Sequence, residues 1–157
     1  MNDRHLIRRL RELHPDLDTT NFDVLDFVAA FGSPLEALMY SRLFWPEFIE
    51  IEGMIFLKES MEYEDDRQRL ADALERYGGN RTQTEQSFNL VEVPSTLFTR
   101  HKGDTTEVED QWLAQRLVQM WLAGLRHSYP DRDLVVKVLD PEDTGGEVGV
   151  IFYQHRP

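Results

Sequence analysis

Hydrophobic positions along the chain follow two spacings, and the switches between them predict most of the elements. Leu6, Ile7, Leu10 and Leu13 recur at helical intervals, which predicts a short amphipathic helix over residues 3–13. Pro15 disfavours helical backbone at His14 and ends it. Phe22, Leu25, Val28 and Ala29 form the stripe of a second helix over residues 21–31, with Gly32 where a C-terminal cap belongs. The stretch SPLEALMYSRLFW then opens on a start signal: Ser33 caps, Pro34 suits the first helical position and Glu36 completes a capping box. Pro46 stops that helix. Residues 64–77 carry Leu70, Leu74 and Tyr77 at helical spacing before GGN. Residues 105–127 make the longest predicted helix, capped by Asp104, Thr105 or Thr106, with Glu107, Glu109 and Asp110 near its positive dipole end.

A period of two marks the strands. FIEIEGMIFLK, residues 48–58, places Ile49, Ile51, Ile55 and Leu57 on one face with Gly53 between them. SFNLVEV predicts a strand near 88–93. DLVVKVLD and EVGVIFYQ, near 134–140 and 147–154, flank PEDTGG as a C-terminal hairpin. Helices and strands alternate without a βαβ rhythm. The prediction is therefore an α+β fold, a mainly antiparallel sheet packed by four to five helices. A chain of 157 residues, 41% hydrophobic, suits a single domain over residues 1–157. Its prolines and glycines are scattered, and no repeat or linker composition interrupts it.

Charge narrows the partner. Twenty-nine acidic against 17 basic side chains leave −12, which argues against a nucleic-acid partner and favours a neutral or basic one. Arg4, Arg8, Arg9 and Arg11 against Asp3 and Glu12 give the first fourteen residues +2, leaving −14 for the remainder. So small a basic footprint is more simply docked on the protein's own acidic body than on lipid or nucleic acid. The absence of cysteine removes disulfides, thiolate metal sites and a cysteine nucleophile, and it fits a reducing compartment. Charges interrupt MNDRHLIRRLREL too often for a signal peptide, and no run approaches the ~20 apolar residues of a membrane span. The expected location is the cytoplasm, with no membrane partner.

Glu50 and Glu52 are the first candidates. On one continuous strand they share a face about 6.5–7 Å apart, within the row Phe48, Glu50, Glu52, Met54, Phe56, Lys58. Two carboxylates at that separation could divide acid and base roles or offer oxygens to a hard cation. No neighbouring motif supports either, and a half-covered strand whose glutamates reach water is the simpler account. A partner-contact face lies between the two. Trp112 falls outside the Leu113, Ala114, Leu117, Trp121, Leu125 side of its helix, among Gln115, Arg116 and Gln119. It either packs under a loop or anchors a partner.

Glu62, Glu64, Asp65 and Asp66, with Glu59, form an acidic cluster before a helix start, and Glu107, Glu109 and Asp110 form another. The helix dipole already accounts for acids in such places. DPEDTGGE lacks the spacing of a calcium loop, and the five histidines form no H-E-x-x-H pair. Gly145, Gly146 and Gly149 make no phosphate loop, and no serine sits in G-x-S-x-G. The expectation is no catalytic residue, metal or cofactor. It is instead a small acidic protein-binding module, an inhibitor or immunity-type protein neutralising a basic partner through Phe48, Glu50, Glu52, Glu62, Glu64, Asp65, Asp66 and Trp112. Its rivals are a small-ligand-binding protein or enzyme using Glu50 and Glu52, and a homodimeric structural protein joined through Trp112 or the mixed strand face.

Overall fold

A computed structural model describes residues 2–156, and the chain divides into two units, Met1–Leu43 and Phe44–Pro157. No change of composition marks that division, because a helix runs across it. In the first unit the Asn2 side chain accepts from the His5 N–H and starts α1 (Asp3–Leu13). Asp23 and Asp26 close a reciprocal capping box on α2 (Val24–Phe31). Arg11 donates to the Thr19 and Thr20 carbonyls at 3.1 and 2.7 Å, tying α1 to the loop that leads into α2. The apolar centre is small and aromatic. Phe27 is buried, Phe22 meets it edge-on, and Phe31 stacks between Phe27 and the His14 ring. Helix α3 (Pro34–Phe44) begins behind Ser33, as the start signal predicts.

The second unit opens on a hairpin where the spacing predicts one strand. Strands β1 (Phe48–Ile51) and β2 (Met54–Leu57) pair antiparallel around Glu52 and Gly53, whose φ values are 52° and 77°. Positive φ at both central residues makes this the tight two-residue turn that suits the twist of paired strands. A two-residue turn also exchanges the parity of the faces. Ile49 now lies opposite Phe56 and Ile51 opposite Met54, while Phe48 and Glu50 lie opposite Leu57 and Ile55. The single odd-numbered face is thus replaced by Ile49, Ile51, Met54 and Phe56, which pack with Leu70, Leu74, Met61 and Phe88.

Helix α4 (Glu64–Arg76) supplies Leu70 and Leu74 to that cluster and ends at Gly78 and Gly79. The polar run RTQTEQSF forms an additional helix, α5 (Arg81–Phe88), started by the Asn80 side chain on the Gln83 N–H. Strand β3 (Leu90–Glu92) is correspondingly short. Helix α6 (Glu107–Ser128) begins with a Thr106–Glu109 capping box. It packs on the C-terminal hairpin β4 (Leu134–Leu139) and β5 (Gly149–Gln154), between which lies the one-turn helix α7 (Pro141–Thr144). The second sheet has order β3–β5–β4, antiparallel throughout. Trp121, Leu117 and Leu125 are buried, and Trp121 and Phe48 both meet the Phe152 ring edge-on. The fold is α+β as the pattern predicts, built on two small antiparallel sheets rather than one.

Candidate functional site

The turn at Glu52 and Gly53 separates the two glutamates that share a face in a continuous strand. Glu50 stays on β1 and its Oε1 accepts from the Arg132 guanidinium at 2.7 Å. Tyr129 lies in the same neighbourhood. Burial first, and then the Glu50 charge, push its phenol above the usual range, with Arg132 opposing. Glu52 points from the turn into solvent. No shared site remains for the two carboxylates to divide acid and base roles.

The other candidates are spread over the second unit. Phe48 is half-buried against Phe152 and lies 3.4 Å from where a Cβ on Gly124 would stand. Trp112 is half-buried near the start of α6, with the Arg116 guanidinium 5.0 Å from its ring centre. Glu50, Tyr129 and Arg132 lie at the opposite end of that helix. At 1.5 Å per residue the seventeen positions from Trp112 to Tyr129 span about 25 Å, so Trp112 and Glu50 are not one contact patch. Glu109 and Asp110 are buried at the head of α6, where Glu109 accepts from the Thr106 N–H and Asp110 from the Thr105 hydroxyl. They start a helix.

The acidic cluster before α4 divides in two. Asp66 is only 3% exposed; its carboxylate accepts from the Tyr63 N–H at 2.9 Å and from Arg69 at 2.7 Å. Glu62, Glu64 and Asp65 remain exposed, and none of them makes a salt bridge among the described residues. Between them Tyr63 is 73% exposed. The result is a short strip, Glu62–Tyr63–Glu64–Asp65, whose backbone is pinned from beneath by Asp66. Sequence reading picks out the acids and misses the tyrosine, which breaks no hydrophobic pattern.

Sequence reading also misses Glu85. Its side chain is wholly buried and accepts five hydrogen bonds. Oε1 takes the Ile55 N–H at 2.8 Å, Gln154 Nε2 at 2.6 Å and one Arg156 nitrogen at 3.0 Å. Oε2 takes the Gln154 N–H at 2.9 Å and the other Arg156 nitrogen at 2.7 Å. Gln154 and Arg156 both donate in turn to the Gly53 carbonyl, so one carboxylate joins β2, α5, β5 and the hairpin turn. With its oxygens filled by donors, Glu85 is a structural tie rather than a base. Asn89, also buried, adds a bond to the Ile55 carbonyl at 2.8 Å.

Two of the clefts among the described residues contain several charged side chains. One, of about 530 Å³, is lined by Gly78 to Gln83 with His155 and Arg156. Three of its polar side chains are already engaged: Asn80 caps α5, Arg156 holds Glu85, and the His155 ring meets Asp133 at 3.2 Å. The other, of about 260 Å³, holds the ion pair of Lys102 and Glu147 beside Asp110. Among the described residues no three acidic or histidine side chains are placed to hold a metal ion, and no helix is long and apolar enough to cross a membrane. No family model, curated protein or solved structure matches the chain.

Proposed function

We propose that this chain is a protein-binding module that engages a basic partner through the strip Glu62–Tyr63–Glu64–Asp65 at the head of α4. The inhibitor or immunity-type role, in which the acidic body neutralises a basic protein, is its concrete form. The observation that carries the reading is Tyr63, 73% exposed between three exposed carboxylates that have no salt-bridge partner among the described residues. Tyrosine brings a large contact area at small entropic cost, and it is enriched where partners are held. The hydrogen bond from the Tyr63 N–H to buried Asp66 presets the backbone of the strip, so less order is lost on binding. The net charge of −12 raises the rate of encounter with a basic surface.

The test is capture from the native lysate at low salt with wild type, Tyr63→Ala and the triple variant Glu62→Gln, Glu64→Gln, Asp65→Asn. A specific basic protein should be held by wild type, with its dissociation faster by a factor of about 30 in Tyr63→Ala if the ring is a hot spot of ~2 kcal/mol. The triple variant should slow association. Identical captures by all three proteins would remove this function from the strip.

A further inference from the structure

Helix α3 is the least explained element of the chain. Every residue from Pro34 to Arg42 is exposed, although the run PLEALMYSR is mostly apolar. Leu35, Leu38 and Met39 are 75%, 66% and 62% exposed. With Arg42 they keep the i, i+3, i+4, i+7 spacing of a packing stripe. Helices shorter than about 12–15 residues are marginal in water without tertiary packing, and α3 has 11 residues. Leu43 and Phe44 at its end are half-buried, but the stripe of Leu35, Leu38 and Met39 lies open to solvent and calls for a cover.

We infer that the cover is a second copy of the chain, with α3 packing antiparallel on its equivalent about a two-fold axis near Met39. Two observations choose this occupant. The first is charge. Each copy carries −12, so two copies repel over most of their surface. Residues 24–44 hold only Asp26, Glu36 and Arg42, a sum of −1, and are where like molecules approach at least cost. The second is self-complementarity. Glu36 and Arg42 lie three residues on either side of Met39, about 4.5 Å along the axis. An antiparallel pair crossing at Met39 brings each Glu36 towards the Arg42 of the other copy, while Leu35, Leu38 and Met39 close the centre. A single 11-residue helix spans about 16 Å and covers less than the ~800 Å² per partner of a standard interface. The dimer is accordingly weak and forms with concentration, ordering α3 as it does so. This surface is separate from the strip on α4, and dimerisation doubles the number of strips.

The experiment is sedimentation equilibrium of the purified full chain up to about 0.5 mM, with hydrogen exchange at both ends of the range. The mass should rise from 18.5 kDa towards twice that value, and the amides of residues 38–43 should gain protection as it rises. Leu38→Glu should stay at 18.5 kDa with the remaining protection unchanged, since the side chain is exposed in the single copy. Glu36→Arg and Arg42→Glu should each raise the dissociation constant by at least about threefold, and the double reversal should restore it. A wild-type mass fixed at 18.5 kDa over the whole range overturns the inference. Association untouched by Leu38→Glu, or double reversal without recovery, overturns the α3 pairing. None of these readouts involves a basic partner, so they stand or fall apart from the function of the α4 strip.

Discussion

Glu85 shows how much of this fold hangs on one side chain that no hydrophobic pattern reveals. Its five donors come from residues thirty or more positions away, at Ile55, Gln154 and Arg156, so nothing in TQTEQ signals them. Glu85→Gln keeps the shape but turns one acceptor into a donor that faces the Gln154 N–H and the Arg156 guanidinium. It should cost about 3–5 kcal/mol in urea unfolding, the range for breaking a buried ion pair by removing one charge; a loss under ~1 kcal/mol would refute the role of Glu85 as a tie. The pair of Lys102 and Glu147 gives a prediction in pH. The hydrogen bond from Lys102, and then Ser95, hold the Glu147 carboxyl below the usual glutamate range, while Glu147 raises Lys102. A depressed acid adds stability above its unfolded pKa and loses it as pH falls through the folded one. A raised lysine adds stability below its unfolded pKa and loses it as pH rises through the folded one. The pair is therefore complete across the neutral window. In Lys102→Met, NMR titration should find the Glu147 carboxyl moved up towards its ordinary range. Titration unchanged from wild type would remove Lys102 as the cause.

At the scale of elements, the strong periodic segments were legible and the turns were not. α1, α3, α4, α6 and the β4–β5 hairpin follow directly from leucine spacing, proline stops and caps, signals that are local in the chain. The β1–β2 hairpin was hidden for a specific reason. Glu-Gly lacks the Asn-Gly signature of a tight turn, and isoleucine at 49, 51 and 55 keeps apparent parity through it. That same turn parts Glu50 from Glu52, which share a face only in a continuous strand. α5 was hidden because RTQTEQSF offers no apolar stripe; it is held by the Glu85 tie and the Asn80 cap. The turn makes its own prediction. Glu52 is a non-glycine residue at positive φ, a conformation that costs roughly 1–2 kcal/mol for an ordinary side chain and less for asparagine. Glu52→Asn should therefore stabilise the chain by ~0.5–1 kcal/mol, read as a higher urea midpoint at unchanged slope. Gly53→Ala, at φ 77°, should destabilise it. A lower midpoint for Glu52→Asn would argue against the two-residue turn.

For the molecule as a whole, charge acts in opposite directions on the two proposed contacts, and salt tells them apart. The acidic strip attracts a basic surface, and raising salt from 0.05 to 0.5 M shortens the Debye length from about 14 to about 4 Å. Association with a basic partner should slow over that range, while dissociation, governed by desolvated contacts such as Tyr63, changes less. Self-association through α3 brings two bodies of −12 together across an apolar contact. Screening removes repulsion there, so the dimer should tighten over the same range. Glu62→Gln, Glu64→Gln, Asp65→Asn should flatten the first dependence. It lowers the charge of each copy by three, so it should also strengthen the dimer slightly at low salt. Asp66 is left out because it is buried and supports the strip. Trp112→Ala supplies the control: near the start of α6, it should leave both dependences unchanged if Tyr63 and α3 are the contacts. Stopped-flow association and sedimentation across one salt series measure both responses on the same samples. Salt responses of the same sign would show that a single surface serves both contacts, and the division of labour between the α4 strip and α3 would fail.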